Sequence, residues 1–148
     1  HELHHVGYTR YNPPFTLSDV KSMRDLEQVV KYSTHLEGTA VYAAYEMRGR
    51  EGRYGHIDYT LYNDADRRET ILREFSGVLE SIEAEPDREL TLDEVSEVLG
   101  RLSGERLWYV SGLHMAKTID ENLGRDALTG TIVDGSESFF RVYEECLR

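Results

Sequence analysis

The chain opens on His1-Glu2-Leu3-His4-His5, and the reading of these five residues decides the fold. They spell HExxH. On a helix, residues four apart share one face, so His1 and His5 can each turn an imidazole nitrogen toward one metal ion. Glu2 is then the carboxylate placed to take a proton from metal-bound water. The same letters also suit a solvated polar helix turn or the remnant of a purification tag, although a tag is usually an unbroken histidine run. A metal site that acts on carbonyls has three protein ligands and an open position. The fold therefore has to lay a second helix beside this one to bring the third ligand.

Outward from that stretch the pattern is helical almost throughout. Tyr11-Asn12-Pro13-Pro14 stops the first helix. Thr16, with Asp19 three residues on, predicts a capped start, and Val20, Met23, Leu26, Val29 and Val30 recur at helical spacing. Thr34-His35-Leu36-Glu37 either continues this helix or caps a new one through Ala40, Val41, Ala44 and Met47. Arg48 to Asn63 carries Gly49, Gly52 and Gly55 among tyrosines, which predicts a loop or short hairpin. Those glycines lack the strand-turn-helix frame of a phosphate-binding loop.

Asp64 to Glu85 reads as an amphipathic helix ended by Pro86, and Thr91-Leu92-Asp93-Glu94 as a capping box opening the next one. A long helix is expected over Ser103–Leu123, closed by Gly124. Two shorter ones, Arg125–Val133 and Ser136–Leu147, are split by Asp134-Gly135. The expected fold class is mainly α, a single helical unit over residues 1–148.

Composition narrows the partners. With 148 residues the chain suits one domain and can bury a real core. A net charge of -11 argues against a nucleic-acid backbone, which needs clustered Lys and Arg. Cys146 is the only cysteine, so no intrachain disulfide can form. No apolar run approaches the roughly 18 to 20 residues of a membrane span, and no signal-peptide pattern is present. The expectation is a cytoplasmic protein with neither nucleic acid nor membrane as partner. Oligomeric state is left open.

Glu37, in Glu37-Gly38-Thr39-Ala40-Val41-Tyr42, is the chosen third ligand. Gly38 and Ala40 are expected to let its helix lie close against the first. Glu37 also stands three residues after Thr34, where it could simply complete a capping box. Glu27 competes as a ligand but sits in a plain amphipathic pattern.

Three segments in order, HELHH, then EGTAVYAAYE, then Trp108-Tyr109-Val110-Ser111-Gly112-Leu113-His114-Met115-Ala116, resemble the gluzincin metallopeptidases. The aminopeptidase N-like enzymes are the nearest of these. Their pattern is HExxH, a later NEGFA-like segment whose Glu binds zinc, and Tyr-x-x-Gly opening a following helix. Ile119–Leu128 with Phe139-Phe140-Arg141-Val142-Tyr143 also looks like the helical tail of further zinc peptidases in this group. The resemblance implies Zn2+ as cofactor, His1, His5 and Glu37 as its ligands and Glu2 as general base. It implies Tyr109 as donor to the oxyanion and a peptide or protein as substrate; His114 is a second candidate donor, set against the expectation of a packed or surface histidine. Met115 and Trp108 are expected in the core.

The chain departs from the family pattern in places. Between His5 and Glu37 lie 31 residues, more than aminopeptidase N-like enzymes use, with Tyr11 to Val30 as the insertion. Leu36 stands where the family often has Asn. Val41 occupies the position where thermolysin-like enzymes place a carboxylate, which favours the aminopeptidase-like branch. In that family the HExxH helix follows a sheet, so the chain is expected to be the helical half of a zincin-like catalytic domain with the sheet missing. The rival expectation is a non-catalytic all-α interaction module, or an inactive peptidase fragment. A structural zinc would fill all four positions with protein groups, and His4 or His35 would then be the fourth.

Overall fold

The computed structural model describes residues 1–148 and is mainly α. Eight helices follow one another: α1 (Glu2–Thr9), α2 (Met23–Arg50), α3 (Ile57–Asn63), α4 (Ala65–Glu83), α5 (Leu92–Gly104), α6 (Leu107–Leu123), α7 (Arg125–Asp134) and α8 (Ser136–Cys146). A single 3-10 turn, Leu17–Asp19, lies between α1 and α2. There is no sheet, only an isolated antiparallel bridge between Ser22 and Glu89. No helix is long and apolar enough to cross a membrane.

The apolar pattern of α6 explains why it sits at the centre. Leu107, Val110, Leu113, Ala116 and Ile119 recur every three or four residues and are essentially fully buried. Around them pack α2, α3, α4, α5, α7 and α8. The long α2 covers one side, with Leu26, Val29, Val30 and Val41 turned into the shared core. Met115 lies in that core, whereas Trp108 is half-buried against its edge. The short α1 rests on α2.

The point where α2 crosses α6 sets the depth of that packing. A Cβ added to Gly38 would lie 2.3 Å from the Gly112 backbone, and one added to Gly112 would lie 2.3 Å from the Thr34 carbonyl oxygen. The two backbones touch, as only paired glycines allow. Gly38 was expected to admit α1. It admits α6 instead.

Several boundaries differ from expectation for physical reasons. Thr16 makes no side-chain cap. The box that opens α2 is Ser22 with Asp25: the Ser22 hydroxyl accepts from the Asp25 N–H at 3.3 Å, and the Asp25 carboxylate accepts from the Ser22 N–H at 3.0 Å. From there α2 runs unbroken through Thr34 and Glu37 to Arg50, resolving the open choice in favour of one helix. The expected loop or hairpin over Arg48–Asn63 holds the end of α2 and all of α3. The α3 helix is anchored by buried Asp58, Tyr59 and Tyr62. The expected helix Ser103–Leu123 is broken, because Arg106 takes a left-handed conformation (φ 62, ψ 22) between α5 and α6. The Thr91 box and the Gly124 and Gly135 joints form as predicted, both glycines at positive φ.

Candidate metal centre

Two polar clamps fix the roll of α1 on α2. His4 Nε2 lies 2.7 Å from Thr39 Oγ1, and the Tyr8 hydroxyl lies 2.9 Å from His35 Nδ1. Thr39 donates its own proton to the His35 carbonyl at 2.6 Å, so it accepts from a His4 Nε2–H. Thr131 likewise donates to the Leu128 carbonyl at 2.6 Å and accepts from His35 Nε2–H at 3.1 Å. That leaves His35 Nδ1 to accept from Tyr8. The His35 imidazole is thus neutral. Burial pushes His35 down to about 3 and His4 to about 4, with the neighbouring histidine in each case adding to the effect. His35 is fully buried and stacked on Phe139 at 4.3 Å between centroids.

With α1 held so, the neighbouring edge of the same face turns His1 and His5 toward Glu37. His1 Nε2 stands 3.1 Å and His5 Nε2 3.3 Å from the same oxygen, Glu37 Oε2. The ligand atoms of the three residues all lie within 4.8 Å of one another. His5 Nε2 and Glu37 Oε2 are buried without a hydrogen-bond partner. Burial pushes the Glu37 carboxyl above its ordinary range, against the pull of His5 and Arg106. An unpaired buried polar atom costs about 1–3 kcal/mol, so a cluster of them facing one point fits a cation.

The donor set and spacing fit zinc. Nitrogen and carboxylate donors at about 2.1 Å from a tetrahedral ion stand about 3.4 Å apart, close to the two separations seen. His4 and His35, the candidates for a fourth protein ligand, are bound to Thr39, Tyr8 and Thr131 instead. Glu27 is taken up by Lys31 at 2.6 Å. Three protein groups converge here, and the neighbouring space is an open cleft.

That cleft, of about 420 Å³, is walled by His1 and Glu2 on one side and by Tyr109, Arg106 and Asp58 on the other. The Glu2 carboxylate is 90% exposed and 4.0 Å from His5 Nδ1. Tyr109 stands one turn before Gly112, so the close α2–α6 crossing brings it to the same cleft. The Arg106 guanidinium lies 3.5 Å from the Tyr109 ring centroid. It donates two hydrogen bonds, of 2.7 and 2.8 Å, to the buried Asp58 carboxylate. A left-handed non-glycine residue stores strain, and this pair with the ring contact holds it. Arg106 and Asp58 were not expected from sequence. They are 48 positions apart and carry no local signal.

His114, the second oxyanion candidate, is turned away. It follows Tyr109 by five residues, about 140° around the helix, and sits among Tyr62 and Tyr143 with Nδ1 buried and unpartnered. Burial lowers its pKa.

Residues 1–148 match the model of a family described as "Putative zinc dependent peptidase (DUF5700)". Comparison with curated proteins and with solved structures found no match.

Proposed function

We propose that this chain, which belongs to the DUF5700 family that it matches end to end, hydrolyses peptide bonds with a gluzincin-like zinc centre. The observation that carries the reading is the convergence of His1, His5 and Glu37 on one point, two of their atoms orphaned, at the edge of a cleft that also holds Glu2 and Tyr109. His1, His5 and Glu37 would hold the ion. Zinc bound there supplies Lewis acidity, which polarises a carbonyl and makes water a nucleophile near neutral pH.

The remaining work falls to side chains of this chain. A Glu2 carboxylate oxygen takes the proton from water as its oxygen adds to the carbonyl carbon. It then delivers that proton to the departing amine nitrogen as the C–N bond breaks. The Tyr109 hydroxyl donates to the carbonyl oxygen as negative charge gathers there, a contact made most strongly at the transition state. Arg106, stacked on the ring and held by Asp58, fixes where that hydroxyl points.

Glu2→Gln tests the assignment. The variant is expected to keep stoichiometric zinc by elemental analysis while hydrolysis of a peptide mixture falls by about 10² to 10⁴, the usual worth of a general base. Zinc-free purified protein, or hydrolysis unchanged in Glu2→Gln, would overturn it.

A further inference from the structure

The floor of the cleft is a stripe of α2. Glu37, Val41, Ala44 and Arg48 follow at intervals of four, three and four, so they share one face, and the last three line the cleft. Arg48 also lines a second hollow of about 600 Å³ with Arg53, Tyr54 and His56, and His56 and Tyr59 border both spaces. Arg48, His56 and Tyr59 thus stand between the two hollows, which together form a trough with His1 and Glu2 at one end and Arg48 and Arg53 toward the other.

The charges in that trough are unequal. Asp58 is consumed by Arg106 and is 1% exposed, and Arg53 has Glu51 at 3.8 Å. Arg48 is exposed, faces Tyr59 and has no carboxylate within ion-pair reach. In a chain with net charge -11, an unpaired arginine inside a cleft is where an incoming carboxylate meets least opposition. Arginine suits that partner, since its planar fork binds a carboxylate through two parallel hydrogen bonds.

The geometry points to a substrate subsite: Arg48, flanked by Arg53 and His56, binds a carboxylate of the peptide whose backbone lies over the Glu37–Arg48 stripe. This rests on the peptidase reading of the same cleft. Eleven positions along α2 span about 16 Å. An extended peptide rises about 3.3 Å per residue, and the arginine itself reaches back several ångströms. The recognised carboxylate therefore sits about three to five residues from the bond cut. An acidic side chain and a free C-terminus offer the same group.

The test uses the whole zinc-loaded chain and short fluorescein-labelled alanine-rich peptides. These carry one Glu, Gln or Lys, each with a free or an amidated C-terminus. Binding is read by anisotropy and cleavage separately by chromatography. The wild type is expected to bind and cleave the carboxylate-bearing peptides about tenfold better, the worth of one charge-assisted hydrogen bond. The difference is expected in Kd and KM. Loss of preference on amidation assigns the subsite to the C-terminus, and loss on Glu→Gln in the peptide assigns it to a side chain. Arg48→Ala is expected to erase the preference, so that carboxylate-bearing and neutral peptides bind alike, and Arg48→Glu to move it to the Lys peptide. A preference that survives both variants, or no preference in the wild type, overturns the subsite. Carboxylate-dependent binding without cleavage of any peptide supports the subsite and overturns the peptidase reading instead.

Discussion

The two edges of the one face that α1 turns to α2 present histidines to that helix with opposite results. Along one edge His4 and Tyr8 meet Thr39 and His35 in a chain of hydrogen bonds that reaches Thr131 on α7, every ring nitrogen of His35 used. Along the other edge His1 and His5 meet Glu37 at comparable distances, yet His5 Nε2 and Glu37 Oε2 have no partner. Hydroxyls complement a neutral imidazole, giving an acceptor to its N–H and a donor to its bare nitrogen. A carboxylate flanked by two imidazole nitrogens at one point is an arrangement that a cation would satisfy. The difference separates histidines whose partners lie within the fold from a histidine–carboxylate cluster that the fold leaves without them.

The largest effect expected from breaking this contrast is at the edge carrying His1 and His5. His5→Ala should weaken zinc binding by more than ~100-fold, since that is the upper loss from removing only an outer partner of a ligand, and hydrolysis should vanish with it. Thermal unfolding of the metal-free protein should show little change, because His5 Nε2 makes no hydrogen bond there. If His5→Ala cost the metal-free protein several kcal/mol, the two edges would be alike.

The converse substitution is His35→Ala. It removes a fully buried ring stacked on Phe139 and strands the Tyr8 and Thr131 hydroxyls. A cost of about 3 kcal/mol is expected by denaturant titration, with zinc stoichiometry retained in the folded fraction. An intermediate case is Asp58→Asn, where a satisfied pair borders the open cleft. Arg106 is partly exposed, so the loss should be about 2 kcal/mol, below that of a fully buried pair. Because Arg106 stacks on Tyr109, kcat should fall while zinc content stays.

The smallest effect is expected far from α1, at the satisfied cap of α5. Thr91→Ala should cost about 1 kcal/mol without touching zinc or turnover. Acid reports on the same cap. The Thr91 backbone N–H holds the Glu94 carboxylate down to about 2, with Arg88 and the Thr91 hydroxyl, which the alanine removes, adding to the effect. Its folded value lies below its unfolded one, so the contribution is complete above the ordinary carboxylate range and fades as pH falls toward about 2. In Thr91→Ala the fading should be shallower, as read from Tm against pH.

Legibility in the sequence followed the distance over which each cause acts. The Thr91 box, the Pro86 stop and the Gly124 joint are local, and their letters sufficed. Local signals failed where two equivalent ones competed: Thr16–Asp19 and Ser22–Asp25 have the same spacing, and only the second meets the Arg88 and Leu90 backbone that pins the entry of α2. They failed again where the cause is remote. Nothing near Arg106 announces a left-handed residue, because what holds it is Asp58 on α3. Gly38 was visible as a close contact, but its partner, Gly112, was not. The motif letters at His1, His5, Glu37 and Tyr109 stood out in the sequence. The trough that joins them to Arg48 did not, since it exists only once α2 is known to be one uninterrupted rod.

That rod and α6 touch main chain to main chain at Gly38 and Gly112, with no side chain between them to act as a bearing. The carboxylate of Glu37 and the phenol of Tyr109 therefore belong to a single stiff body, like two fittings bolted to one chassis. The separation of the two helices is set by contact between their main chains, not by the packing of side chains interposed between them.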